Sequence, residues 1–376
     1  MDVSTTIPVG DLTVELLPAR HGDCILVSWG TAADRHQMLI DAGPAHAYDG
    51  IAEELRARAI TAVDLLVLTH VDADHVEGMI LLVNDSELDL DIREVWYNGA
   101  PQLTSEQLGP VQGEILGALI AERRLRWNDA FGGRAALARD GEALQCVELP
   151  AGLKITILGP DRTQLDRLHD TWLAACREAH LTVGSTAEAL NALRARPKLV
   201  PAQSYLRGGP TPRVAKLAAE RRGNDTSIPN GSSIVLLLEW HGRSVLLAGD
   251  ATPSALRLAV RRLLAERGTA TLAVDVFKVA HHGSAKNIDA AIAGLVPAGH
   301  YLISTDGSYF NHPDATAVAT MVQHGRPGAE LVFNYDNPRN RVWDDQALVD
   351  TFGTRARYPD PGSASVRVVL SGADDG

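Results

Sequence analysis

Short apolar runs closed by Gly, Asp or Pro punctuate the first hundred residues: Leu12 to Leu17, Cys24 to Trp29, Gln37 to Ile40 and Leu65 to Thr69. Runs of that length and boundary predict strands. Between the last two, Ile51 to Ala59 has helical spacing with Glu53, Glu54, Arg56 and Arg58 on its polar side. A strand–helix–strand unit then delivers the chain to Leu65 and sets His70 just past a strand's C-terminal end. From about Pro101 to Arg222 the texture changes to longer amphipathic stretches, Ser105 to Arg126, Leu165 to Glu178 and Ala187 to Ala195, the last opened by the capping pair Ser185 and Glu188. A strand pair, Leu144 to Leu149 and Leu153 to Leu158, interrupts them. Strand texture returns in a hairpin, Ser233 to Trp240 and Ser244 to Ala248, turning at His241-Gly242 and ending at Gly249-Asp250. A helix capped by Thr252 with Pro253 in its first turn follows, then two more strand–loop–helix units: Ala273 to Ala280 with Ile288 to Leu295, and Tyr301 to Ser304 with Ala315 to Val322. The pattern predicts one α/β domain over residues 1–376 with a mostly helical insertion at 101–222.

Composition narrows the picture. The 376 residues are 45% hydrophobic and 22% charged, which excludes a disordered or collagen-like chain. A net charge of −12 excludes a protein that coats nucleic acid or an anionic membrane with its whole surface, so a polyanion has to meet a local basic patch. One exists: Ala192 to Arg222 holds eight basic residues, Arg213, Lys216, Arg221 and Arg222 among them, against Glu220 alone. Its Pro and Gly content fits a solvated linker equally well. Three scattered cysteines are neither a disulfide framework nor a zinc-finger spacing, which points to a reducing compartment. Without a basic leader or a spanning apolar run, the expectation is a cytoplasmic protein off the membrane, its protein partners unknown.

The densest chemical signal is His70-Val71-Asp72-Ala73-Asp74-His75, four potential metal ligands within six residues, directly after a predicted strand. Imidazoles and carboxylates in one turn converge only if a cation offsets their repulsion, and the mixture suits Zn²⁺ or Mn²⁺. Asp41, Asp250, the His281-His282-Gly283-Ser284 loop and His312 stand at other predicted strand ends, where α/β proteins place their chemistry.

The H-x-D-x-D-H run resembles the signature of the metallo-β-lactamase fold, in the variant of the ComEC-type competence hydrolase domains. Further stretches resemble that subfamily in order: His21-Gly22-Asp23-Cys24, Asp41-Ala42-Gly43, Asn230-Gly231-Ser232-Ser233, Leu247-Ala248-Gly249-Asp250, Phe277-Lys278-Val279-Ala280-His281-His282-Gly283-Ser284, and Ser304 with Phe310-Asn311-His312-Pro313. The resemblance implies a four-layer αββα sandwich and two divalent metal ions, Mn or Zn. His70 and Asp72 would serve the first ion, and Asp74, His75 and one of His281 or His282 the second. Asp250 would bridge them, while Asp41, Asn230, Ser233 and Ser284 support the ligands from behind. Asn230 stands where most of the fold has a third-motif histidine, and Asp72 replaces the usual second histidine; both departures favour the harder Mn²⁺ at the first position. The implied activity is hydrolysis of a phosphodiester or nucleic acid by a metal-activated hydroxide, with Asp74 and His312 in catalytic roles and Arg213, Lys216, Arg221 and Arg222 meeting substrate. The competing readings are a hydrolase of a small ester, thioester or lactam, and a metal-stabilised, non-catalytic interaction module in a bacterial defence operon.

Overall fold

The computed structural model describes residues 10–99, 102, 111–178 and 209–372. Sixteen strands are found among them: β1 Asp11–Leu16, β2 Ile25–Gly30, β3 Arg35–Ile40, β4 Ala62–Val63, β5 Leu65–Val67, β6 Asp91–Ile92, β7 Val95–Trp96, β8 Cys146–Glu148, β9 Lys154–Gly159, β10 Val235–Trp240, β11 Arg243–Leu247, β12 Val274–Lys278, β13 Ala298–Ile303, β14 Glu330–Phe333, β15 Arg355–Arg357 and β16 Val366–Ser371. One sheet has the order β16-β1-β2-β3-β5-β7 and a second β15-β14-β13-β12-β11-β10-β9-β8, while β4 and β6 form a small ribbon. Pairing is parallel from β3 through β7 and from β11 through β15. Parallel neighbours share a C-terminal edge, so each sheet brings several strand ends to one rim.

Alternation along the strands divides the apolar side chains into three cores. Val14, Val27, Met38 and Val67 of the first sheet meet Ile155, Leu236, Val245 and Val276 of the second, which packs the sheets face to face. Their neighbours in sequence point outward: Leu26, Leu39 and Leu66 pack under the helices Tyr48–Ala57, Ala73–Asn84 and Val111–Glu122. On the other side Leu237, Leu246 and Phe277 pack under Pro253–Arg267, Ala290–Leu295 and Ala315–His324. The layers therefore run helix, sheet, sheet, helix, the αββα sandwich expected from the motifs.

Local chemistry places most element ends where the sequence puts them. His241 and Gly242 both have positive φ, +41° and +71°, the geometry that turns a two-residue hairpin between β10 and β11. Thr252 caps Pro253–Arg267 by accepting from Ala255 N, and Gly268 closes it in the left-handed conformation. Within 101–222 the expected strand pair joins the second sheet: β9 pairs antiparallel with β10, and β8 extends the sheet beyond it. Leu153, Ile155 and Ile157 bury into the inter-sheet core, so this part is built into the sandwich. The expected helix at Ala187 to Ala195 and its capping pair lie outside the described residues. Strands β14, β15 and β16 go beyond the sequence reading, and β16 returns to pair with β1 from Asp11↔Ser371 to Leu16↔Val366. No helix among the described residues is long and apolar enough to cross a membrane.

The helix Ala73–Asn84 sits unusually close to two loops of the first sheet. A Cβ on Gly78 would lie 1.7 Å from Ala42 O, and one on Gly22 would lie 1.9 Å from Asp74 O. Gly78 N instead donates to Gly43 O at 2.8 Å. Backbone cannot yield as a flexible side chain does, so Gly78→Ala is expected to lower stability by about 1–3 kcal/mol through overpacking. Urea denaturation reads this; wild-type stability in the variant would mean that the helix can lift at no cost.

Candidate metal centre

Four strand ends and one helix start meet at the rim between the sheets. Asp41 follows β3 with φ +56°, a strained backbone for a residue with a side chain. Thr69 and His70 follow β5, and Asp72, Asp74 and His75 start Ala73–Asn84. Asp250 follows β11, and His281 and His282 follow β12. The two histidines have φ of +49° and +55°, and Gly283 continues at +80°. Three left-handed residues in a row take the chain out of strand alternation, and both imidazoles turn toward Asp250.

Four imidazoles surround one carboxylate oxygen. Asp250 Oδ2 lies 3.4 Å from His75 Nε2, 3.5 Å from His282 Nε2, 3.7 Å from His281 Nε2 and 3.9 Å from His70 Nε2. Each ring spends its other nitrogen on the protein. His75 Nδ1–H donates to Asp41 Oδ2 at 2.8 Å, and His70 Nδ1–H to Thr69 Oγ1 at 3.0 Å, which in turn donates to Asp41 Oδ2 at 2.7 Å. His282 Nδ1–H donates to Ser304 O at 2.9 Å, and His281 Nδ1–H to Asn287 Oδ1 at 3.0 Å. A donating Nδ1 leaves Nε2 as a lone pair, the form that binds a metal ion.

The separations fit a metal better than they fit hydrogen bonds. An N–H···O bond is normally about 2.7–3.2 Å long, whereas ligand atoms about 2.0–2.1 Å from one tetrahedral ion lie about 3.3–3.4 Å apart. His282 Nε2 is 3.5 Å from Asp74 Oδ2 as well as from Asp250. The Nε2 atoms of His70, His75 and His282, with Asp250 Oδ1, are buried without any hydrogen-bond partner. Ligand atoms of His70, His75 and Asp250 fall within 4.8 Å of one another, as do those of Asp74, His75 and His282. The residues present thus fit divalent ions. Asp72 stands at the N-cap of its helix but makes no side-chain capping bond; its Oδ2 lies 3.7 Å from His70 Nε2 instead.

Charge follows from this crowding. Burial works against ionisation of Asp250, yet His282, His75 and His281 hold its carboxyl well below the usual range. Burial likewise opposes the imidazolium of His282, but Asp250 and Asp23 outweigh it and push that group up to about 10. Burial together with His75 pushes His70 down. The carboxylates of this site therefore demand positive charge, which either protons or metal ions can supply.

The remaining expected residues separate. Ser233 Oγ accepts from Asp250 N at 3.2 Å, and Asn230 Nδ2 lies 3.3 Å from His281 Nδ1. Ser284 Oγ accepts from Lys286 N within its own turn and reaches none of the imidazoles named here. The His312 ring stands edge-on to that of His281, centroids 5.6 Å apart, and its buried Nδ1 lies 3.6 Å from Asp314 Oδ2. Arg213, Lys216, Arg221 and Arg222 are exposed, on or beside the helix Val214–Ala218. That arm rests on Ala315–His324 through Thr316 and Glu220, just beyond His312. Arg194, Arg196, Lys198 and Arg207 lie outside the described residues.

Two groups belong to the site that the sequence reading gave no role. Asp225 Oδ2 accepts from Asn230 Nδ2 at 2.8 Å and Asn287 Nδ2 at 2.9 Å, backing His281. Asp23 lies behind His282, Oδ1 3.2 Å from Nδ1, and pairs through its other oxygen with Lys278 Nζ. Lys278 is 0% exposed at the C-terminal end of β12. A fully buried lysine requires a buried anion, and that is the signal that points to Asp23. Removing one partner of such a pair leaves an uncompensated charge: Lys278→Met is expected to cost about 3–5 kcal/mol. The double variant with Asp23→Asn should lose less than the sum of the single losses, as read by urea denaturation. Additive losses would show that the two groups are not coupled.

No family model and no curated protein matches the chain. Among solved structures it is similar to the metallo-β-lactamase fold protein YhfI from Bacillus subtilis, at a TM-score of 0.40 and 8% identity over 95% of this chain and 100% of that one. It is also similar to a diphosphatase of the PhnP family (0.37, 8%, 96% and 98%) and to a metallo-β-lactamase from Cronobacter sakazakii with an HARLDQ motif (0.29, 14%, 68% and 70%). The layering itself, two face-packed sheets with helices outside each and the histidine-rich rim between them, makes this chain a four-layer αββα sandwich, the fold that its motif resemblance implies.

Proposed function

We propose that this protein is a divalent-metal-dependent hydrolase of phosphodiesters, of the competence-type kind that its motifs resemble, with a nucleic acid or nucleotide as substrate. The observation that carries the reading is the convergence of four imidazole Nε2 atoms on the Asp250 carboxylate. Asp74, His75 and His282 would hold one ion, and His70, Asp72 and His281 the other, with Asp250 shared. In this reading His281, backed by Asp225, Asn287 and Asn230, takes the part of the histidine that Asn230 replaces. Bound ions of this kind lower the pKa of water and offset charge growing on the attacked phosphorus. The protein's own groups orient and exclude: Asp41 fixes the His75 ring, Thr69 the His70 ring, and Ser304 with Asp23 the His282 ring. His312, at the outer edge beside His281, is placed to hydrogen-bond a substrate oxygen. Three carboxylates among the donors favour Mn²⁺ over Zn²⁺.

Asp250→Asn and His75→Ala are each expected to abolish Mn²⁺-supported hydrolysis of a phosphodiester and to lower the metal content, with the circular dichroism of the fold retained. Full activity in either folded variant overturns the reading. Activity confined to a small ester, thioester or lactam would keep the metal centre and move the substrate class.

The basic arm gives a separate test of substrate size. Replacing Arg213, Lys216, Arg221 and Arg222 by Gln should raise KM for a long nucleic acid while a small phosphodiester is cleaved nearly as before. Steering depends on many phosphates, whereas bond breaking depends on the metal centre. Each lost phosphate contact should also flatten the log–log salt dependence by about 0.7–0.9. An unchanged KM and salt slope would make the arm a solvated linker.

A further inference from the structure

Most large apolar side chains of this molecule are buried, yet two adjacent aromatics stand in solvent beside the metal centre: Tyr309 is 51% exposed and Phe310 47%. They belong to a line of rings that starts inside the site. From His281 the centroids step 5.6 Å to His312, 6.0 Å to Phe310 and 5.9 Å to His21, with His46 5.3 Å further on. Tyr309 stacks on His21 at 5.0 Å with an interplanar angle of 24° and meets Phe310 edge to face at 4.5 Å.

Several observations show that this display is built. The loop carrying the pair is held before any ligand arrives: Asp306 N donates to Arg20 O, Ser308 N and Oγ donate to Asp306 Oδ1, and Gly307 N donates to Thr305 Oγ1. Rings on a pre-set turn lose little freedom when they bind. His21, only 6% exposed, keeps a buried Nδ1 with no hydrogen-bond partner, while His312 Nδ1 lies 3.6 Å from Asp314 Oδ2. Cations flank the loop: Arg20 lies 3.9 Å from Asp306, and Arg339 donates to Asn311 Oδ1 while its Nε has no partner.

We infer that Tyr309 and Phe310 form a stacking platform for the nucleobase of the phosphoester cleaved at the metal centre, so that the substrate is a nucleotide or a single strand with an unstacked base. The inference rests on the phosphodiesterase reading and adds the part of the substrate that is recognised. A flat π-system can lie on either ring, and Arg20 and Arg339 can meet phosphates on either side. Stacking of this kind tolerates sequence, so the platform would select bases over sugar–phosphate alone without reading their identity.

The test compares the parent with Tyr309→Ala/Phe310→Ala on two oligodeoxynucleotides of equal length, one carrying 2-aminopurine and the other abasic at the same position. Binding is read in Ca²⁺ from 2-aminopurine fluorescence, and cleavage in Mn²⁺ from steady-state kinetics. The inference predicts fluorescence quenching by the parent that the double variant loses. It also predicts a shift of about tenfold in the ratio of KM values, abasic over base-bearing, between parent and variant. Equal quenching by both proteins, or an unchanged ratio, overturns it. Cleavage of both strands by the parent at equal KM overturns the platform and leaves the hydrolase. Quenching that depends on the two aromatics, with no cleavage of either strand, keeps the platform and removes the phosphodiesterase reading.

Discussion

Buried negative charge at the rim between the sheets is the constraint on which the rest of this structure depends. Asp250 is 2% exposed, and Asp23, Asp41 and Asp74 are packed around the same imidazoles. At 3.5 Å a pair of unit charges interacts by about 5 kcal/mol even at an effective dielectric of 20, so a few uncompensated carboxylates would outweigh the net stability of most domains. Lys278 answers one of them permanently by pairing with Asp23. The others face the rings of His75, His281 and His282, whose pKa values nearby carboxylates raise against burial, and that of His70, which burial pushes down. The pair is weak evidence of stability in its own right. Its value lies in holding Asp23 against the back of His282.

The scaffold is shaped to keep those groups together. Strand ends from both sheets reach the same rim because β3 to β7 and β11 to β15 run parallel within their sheets. Gly22 and Gly78 let Ala73–Asn84 sit down onto the loops beside β2 and β3, which brings Asp74 and His75 to Asp41 and Asp250. Asp41, His281 and His282 accept left-handed backbone, at an expected cost of order 1–3 kcal/mol each. Strain of that size persists where packing over-determines it, and here it falls on His281 and His282, which face Asp250, and on Asp41, which holds the His75 ring.

Much of this was legible in the sequence because short apolar runs stop at polar residues, and His70, Asp250 and His281-His282 are what the runs stop at. The hairpin at His241-Gly242 and the Thr252 cap follow from local chemistry alone. Other features depend on contacts between distant segments. Asp23 and Lys278 are 255 positions apart and meet only once the sheets pack. The alternation of Val366, Val368 and Leu370 marks β16 as a half-buried strand, but its partner β1 lies at the other end of the chain. Strand alternation cannot decide between His281 and His282, since neither is in a strand; the left-handed turn directs both toward Asp250. The strand pair around Leu149 was visible, and its place at the edge of the main sheet was hidden by the helical texture on either side.

The central claim is that Asp250 is shared between two metal ions. Electron paramagnetic resonance of the Mn²⁺-loaded protein tests it most directly, because two Mn²⁺ ions bridged by a carboxylate are exchange-coupled and differ in spectrum from isolated ions. The account predicts a coupled-pair spectrum in the parent, replaced by that of an isolated ion or by none in Asp250→Asn. An isolated-ion spectrum from the parent at saturating Mn²⁺ would contradict it.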